Sequence, residues 1–566
     1  MKHSIWAMSI TAFSYAIFSV SCANMNSMEK KMEELNAKVQ PAPLEVHGDS
    51  IQINITGKFP PKYFAKKVSV DATPALVYAG GEGKYKSVTY QGEDAVGNGI
   101  VIPFQEGKSF SYTGKIPYSS AMDASKLELR LHGRMGSKEM DFNALNLADG
   151  VITTSLLVKS DDKTMWSKDN FVRVLSYSND STIINFDVSS SVLKPSELNQ
   201  QDVKNLGVFL NKIGANPRAR LTEIEFLAYA SPEGEQLRNG NLSTDRAASG
   251  KKAFMDLVKK ANITNAPESI FKESGLGEDW EGFRSAMEQS NISDRNIIIS
   301  VLQMQKDLDQ REKEIRNITA TYKEIEKTIL PGLRRCRIVA KYNIEGYSDD
   351  ELRQIGGSNP SSLKYEELLK AGTLIDDVNK KIAIYTAATQ KSDADYRAYN
   401  NLGCAYFSAN KMNEAETNWT KAYSMKKCAE TSNNMGVLNR IKGNRADAMK
   451  YFNEAGGNAE TNYNKGILAI QKGDYVTAVS NFGTAKSFNS ALAKLLNKDN
   501  GGAKSDIDGS NDQSAMADYL RAVICARSGD ASGVGSNLSK AFGKDGSLRE
   551  KANKDLEFAK YKDQIK

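Results

Sequence analysis

Three glycines in the last third of the chain, Gly403, Gly436 and Gly466, lie 33 and 30 residues apart. Each is followed by a comparable set of small and aromatic residues. Ala415, Trp419 and Ala422 follow the first, Ala448, Phe452 and Ala455 the second, and Ala478, Phe482 and Ala485 the third. Ala522, Val534, Leu538 and Ala541 form a weaker fourth copy. A repeat of this length is one helix pair, which buries its apolar face only by stacking on neighbours, so residues 362–566 are expected to form an α-solenoid. The small residues let paired helices approach closely, and the aromatic fills the gap between them. Glu366 to Ala388 adds a preceding helix pair. Residues 501–512, GGAKSDIDGSND, read as a flexible loop inside the array. Such an array offers a concave groove to peptides or helices.

A second constraint lies upstream. Ile224, Phe226 and Ala228 alternate as in a half-buried strand, Ser231-Pro232-Glu233-Gly234 turns the chain, and Ala247, Gly250, Phe254 and Val258 follow near helical spacing. Strand, polar turn and helix gather side chains around one small volume. Residues 311–330, REKEIRNITATYKEIEKTIL, set Ile315, Ile318, Tyr322 and Ile325 on one side of an amphipathic helix. Residues 346–361, with Gly356-Gly357 and then Ser-Asn-Pro, read as a linker.

The first third has period two. Ile51, Ile53 and Ile55 alternate, as do Leu127, Leu129 and Leu131, and Gly/Asp/Asn turns separate further short runs. A β-sandwich over residues 43–165 is the expectation. Its Gly57–Phe64 loop holds two prolines and three aromatics, which read as a cap on the sandwich core in preference to a partner-docking lip. Residues 22–42 place Met28, Met32, Leu35 and Val39 at helical spacing and read as a short amphipathic spacer. Residues 1–21 have a basic start and an apolar stretch too short to span a bilayer with ordinary flanks, so they read as a signal peptide.

Several of these stretches resemble known families. The glycine-anchored copies resemble tetratricopeptide repeats. Gly234, Asn239, Leu242, Ser243, Arg246 and Ala247 fall at the spacing of the peptidoglycan-binding motif of OmpA-like domains, TDxxGxxxxNxxLSxxRA. Phe186 with Leu193 resembles that family's first strand and loop, and Leu333–Ile344 its last strand with paired arginines. The resemblance implies an α/β domain over residues 171–345, here with a helical insertion at about 278–332. It implies that Arg246 takes a carboxylate of the wall peptide, which a planar guanidinium does bidentately. The family has an aspartate, taking the diaminopimelate ammonium, where this chain has Ser231. Either Glu233 supplies that anion, or the wall peptide is held differently, or it is not held. Ser19-Val20-Ser21-Cys22 resembles a lipobox, which implies lipidation at Cys22 and, with Ala23 behind it, an outer-membrane lipoprotein facing the periplasm. With its ASPEG turn and helical insertion, the chain resembles envelope proteins of the Bacteroidota.

The remaining composition points away from chemistry. A formal charge of +6 without a basic stripe argues against nucleic acid. Cys336, Cys404, Cys428 and Cys525 show no CxxC spacing and imply no disulfide scaffold. His47 and His132 lie near no nucleophile motif, and no GxSxG, HExxH or P-loop is present. Neither a cofactor nor a metal is expected, and an enzyme is not. The expectation is a multidomain adaptor that associates with peptidoglycan through Ser231, Glu233, Asn239 and Arg246. Its solenoid recruits protein partners into an envelope complex, by analogy one for secretion or outer-membrane protein assembly. The alternatives are a structural cell-wall tether without a dedicated protein partner and, behind it, a wall-modifying enzyme.

Overall fold

The computed structural model describes residues 24–261, 263 and 266–565. Residues 1–21, expected as a signal peptide, and Cys22 lie outside the described residues. The chain forms two compact units, which do not follow the linear order expected. One joins the chain up to Ser167 with the chain from Ala394 onward; the other is Lys168–Asp393.

The first unit is β-rich at its start. Two sheets, of five and seven strands, face each other. Ser50–Phe59 buries alternate residues from Ile51 to Ile55, and Ser125–Met135 does so from Ser125 to Gly133, as the period-two patterns require. Ile51, Ile53 and Ile55 meet Leu76 and Leu127 in one apolar cluster. A second cluster takes Phe59, Tyr63 and Phe64 together with Met25, Met28, Met32 and Leu35. Residues 22–42 therefore do not act as a spacer where they are described. Their helical methionine stripe finds an apolar end of the sandwich, where flexible thioethers fill irregular gaps, and Tyr63 Oη donates to the Met28 carbonyl at 2.9 Å.

The same unit ends in five antiparallel helix pairs between Tyr396 and Lys544. Gly403, Gly436 and Gly466 each abut the ring of Trp419, Phe452 or Phe482, and a Cβ on any of them would overlap that ring. Residues 501–509 do not form a loop; only 510–512 do. Asn500–Gly509 is a helix, capped by Asp499 accepting from the Gly502 N–H at 2.8 Å, with Ala503 and Ile507 buried. Packing against Phe488–Leu496 supplies what the glycine-rich sequence lacks in intrinsic propensity.

The second unit holds a four-stranded sheet in the order Val174–Asn185, Arg335–Glu345, Ala219–Ala230, Phe271–Glu278. The last strand runs parallel to its neighbour and the others are antiparallel. Helices Gln201–Ala215 and Gln236–Lys260 press Leu206, Leu210, Phe254 and Val258 onto Ile184, Ile224, Phe226 and Ile338. Residues 280–333 form helices with a core of their own around Phe283, Met287, Ile298, Ile315 and Ile325. The expected single helix over 311–330 is broken at Ile318, whose φ −83°, ψ 65° leaves helical geometry. The expected linker is also structured. Asp349–Ser358 is a helix with a Ser348/Glu351 capping box, and it buries Leu352 and Gly356.

Candidate functional site

Two places gather the residues that sequence singles out or passes over. The first is the turn after strand Ala219–Ala230. Gly234 has φ 97°, which lets the chain reverse before helix Gln236–Lys260. Ser231, Asn239, Ser243 and Arg246 are all buried there. Glu233 lies beside Ser231, whose hydroxyl donates to its carboxylate at 2.5 Å. That carboxylate is taken by Arg334, at 2.9 Å from Nε and 2.8 Å from Nη2. Asn239 Nδ2 donates to the Glu233 carbonyl at 3.1 Å and to Glu278 at 2.8 Å. Burial pushes the Glu278 carboxyl above its usual range.

Arg246 sits behind this network. Its Nε and its two terminal nitrogens donate to the carbonyls of Ser190, Tyr229 and Asp187 at 3.0, 2.9 and 2.9 Å. Burial, reinforced by the neighbouring Arg334, lowers its guanidinium to about 10. The fork thus ties together three backbone segments. The insertion completes the enclosure, since Glu312, on helix Leu308–Asn317, accepts from the Gly234 N–H at 2.7 Å. Arg311, next to it, stacks on Trp280, which in turn donates to Glu278. A carboxylate from the chain itself stands at the turn's free amide.

The second place is the inner face of the solenoid. Residues 158–167 run along it without secondary structure. Four asparagines grip this strap, each through both ends of its amide. Asn401 accepts from the Ser167 N–H at 2.7 Å and donates to the Ser167 carbonyl at 2.9 Å. Asn434 does the same for Met165, at 2.8 and 2.9 Å. Asn464 clamps Lys163, with both bonds at 2.8 Å, and Asn489 clamps Lys159 at the same distances. An extended chain turns the N–H and C=O of alternate residues to one side, which is why clamped residues are two or four apart. A side-chain amide is the matching donor–acceptor pair.

Three side chains of the strap are also engaged. Asp162 meets Arg440 with two bonds of 2.5 Å, and the two side chains are 0% and 2% exposed. Asp161 accepts from Tyr463 Oη at 2.6 Å. Lys159 reaches Asp512 at 2.6 Å and lies over the Phe488 ring. Burial raises Asp512, but hydrogen bonds from Lys159 and Ser514 outweigh it and hold the carboxyl at about 2.

None of these asparagines stands out in the repeat pattern, yet a signal exists. Asn401, Asn434, Asn464 and Asn489 each stand two residues before Gly403, Gly436, Gly466 or Ala491. Two helical residues differ by about 200° in direction. The small residue meets the paired helix, so the asparagine faces the groove.

Residues 396–427 match the family model of a tetratricopeptide repeat. Such repeats point to protein–protein interaction scaffolding. No curated protein matches the chain. Among solved structures, a tetratricopeptide repeat protein from Parabacteroides merdae is 14% identical, with TM-score 0.28, covering 38% of this chain and 90% of its own. Pseudomonas aeruginosa pilF is also 14% identical at TM-score 0.28, covering 38% and 99%. The APC/C hetero-tetramer Cut9–Hcn1 is 11% identical at TM-score 0.31, covering 65% and 82%. Likeness at that level carries no functional argument.

Proposed function

We propose that this chain is a polypeptide-binding scaffold of a bacterial envelope. In this reading lipidated Cys22 holds it to the outer membrane on the periplasmic side, and the repeats recruit other envelope proteins. The observation that carries the reading is the row of four asparagine amides, which grips an extended polypeptide through its backbone. The lipobox-like Ser19–Cys22 supports the membrane placement. Crosslinking in cells, with the full chain and Cys22 intact, is expected to recover a defined protein partner. Recovery of sacculus alone favours the structural tether instead, and a chain that fractionates free of membrane, wall and envelope proteins defeats both.

Wall association is the further part of the proposal, supported by the six OmpA-like motif residues in register. The closed turn sets its terms. A wall-peptide carboxylate reaches the Gly234 N–H only by displacing Glu312. Glu312→Ala in the full chain is therefore expected to increase co-sedimentation with purified sacculi. Unchanged sedimentation in that variant rejects this turn as the wall site. Arg246→Ala is less informative, because it removes three hydrogen bonds to backbone carbonyls and weakens the fold itself.

A further inference from the structure

We propose that the solenoid's concave face recognises an extended peptide with a carboxylate opposite Arg440, and that residues 158–167 are the chain's own copy of that ligand, keeping the site shut. The inference rests on the scaffold reading and names its ligand. The four asparagine clamps close on the backbone, which any extended segment offers; Asn489 also donates to the Asp161 carboxylate at 2.6 Å. They hold a strand without fixing its register.

Register comes chiefly from one residue. Asp162 and Arg440 are both withdrawn from water and meet through two parallel bonds. A peptide that lacks a carboxylate at this position leaves a buried guanidinium unpaired. The Lys159–Asp512 pair is more open to solvent and discriminates less.

The strap can leave without breaking a sheet, since its residues pair with no strand. While it stays, a free peptide meets a competitor tethered at an effective concentration on the order of millimolar. The groove of the intact chain is thus closed to dilute peptide and open once the strap is out.

The test replaces residues 159–167 of the full chain by a Gly-Ser repeat and measures binding of a fluorescent synthetic peptide, Val158–Lys168. The replaced chain is expected to bind it about 100-fold more tightly than the parent does. A peptide carrying Asp162→Asn is expected to bind about 100-fold more weakly than the parent peptide. The proposal fails if the replaced chain keeps its circular dichroism and cooperative melting but ignores the peptide. It fails equally if the parent binds as well as the replaced chain. Should the replaced chain not fold, Asp162→Ala in the intact chain decides. Amides of Lys163 and Met165 are then expected to exchange about 100-fold faster while the solenoid helices keep their protection. Unchanged strap protection overturns the proposal. Partner recovery by crosslinking is a separate measurement, so the scaffold reading can survive this failure.

Discussion

Arg440 and Asp162 form the most enclosed ion pair of the groove, and their energetics follow from what is left when one partner goes. Arg440→Ala strands a carboxylate without solvent, and is expected to cost about 3–5 kcal/mol in urea unfolding of the full chain. Adding Asp162→Asn to that variant should recover part of the loss, because no uncompensated charge then remains. Asp512 makes a complementary prediction in pH. Its folded carboxyl titrates at about 2, against an ordinary value of about 3.9. A depressed carboxyl contributes stability above the unfolded pKa and loses it as pH falls through the folded one. The melting difference between the parent and Asp512→Asn is therefore expected to be full above about pH 5 and to shrink between about pH 4 and pH 2. Asp161 works in the opposite sense. Burial raises its carboxyl, so acidification relieves it even as Asp512 is lost.

At the scale of single elements, close approach decides the helix pairs. Gly436 faces the Phe452 ring with no room for a Cβ. Gly436→Val is expected to destabilise the array by about 1–3 kcal/mol, read by thermal melting. That contact was legible in the sequence, because a small residue and an aromatic at fixed spacing have few other uses. So were the alternating strands at Ile51–Ile55 and Leu127–Leu131, whose period matches a half-buried pleat. Three elements were not. Asn500–Gly509 is rich in glycine and keeps only Ala503 and Ile507 as an apolar stripe, so its helicity comes from its neighbours. Asp349–Ser358 hides its capping box in a run that looks like a polar linker. The strap lacks any periodic signal, since its order is imposed from the groove side. At the turn site, Ser231, Glu233, Asn239 and Arg246 do come together, but spacing cannot tell an open clamp from a set of groups already satisfied by Arg334, Glu278, Glu312 and three carbonyls.

For the whole molecule, the division into units departs from the order of the chain. The β-rich start and the repeats share one unit, and Lys168–Asp393 forms the other. Calorimetry is expected to resolve two transitions, with hydrogen exchange assigning strands 50–59 and helices 429–441 to the same one. Separate loss of those two sets of amides would refute that assignment. The strap also has a consequence in time. Ser167 and the asparagine that grips it, Asn401, are 234 residues apart. At about 5–20 residues per second, a ribosome finishes the first some 10–50 s before it reaches the second. Over that interval the newborn segment has no berth of its own, and whatever accompanies the nascent chain must keep it from finding another.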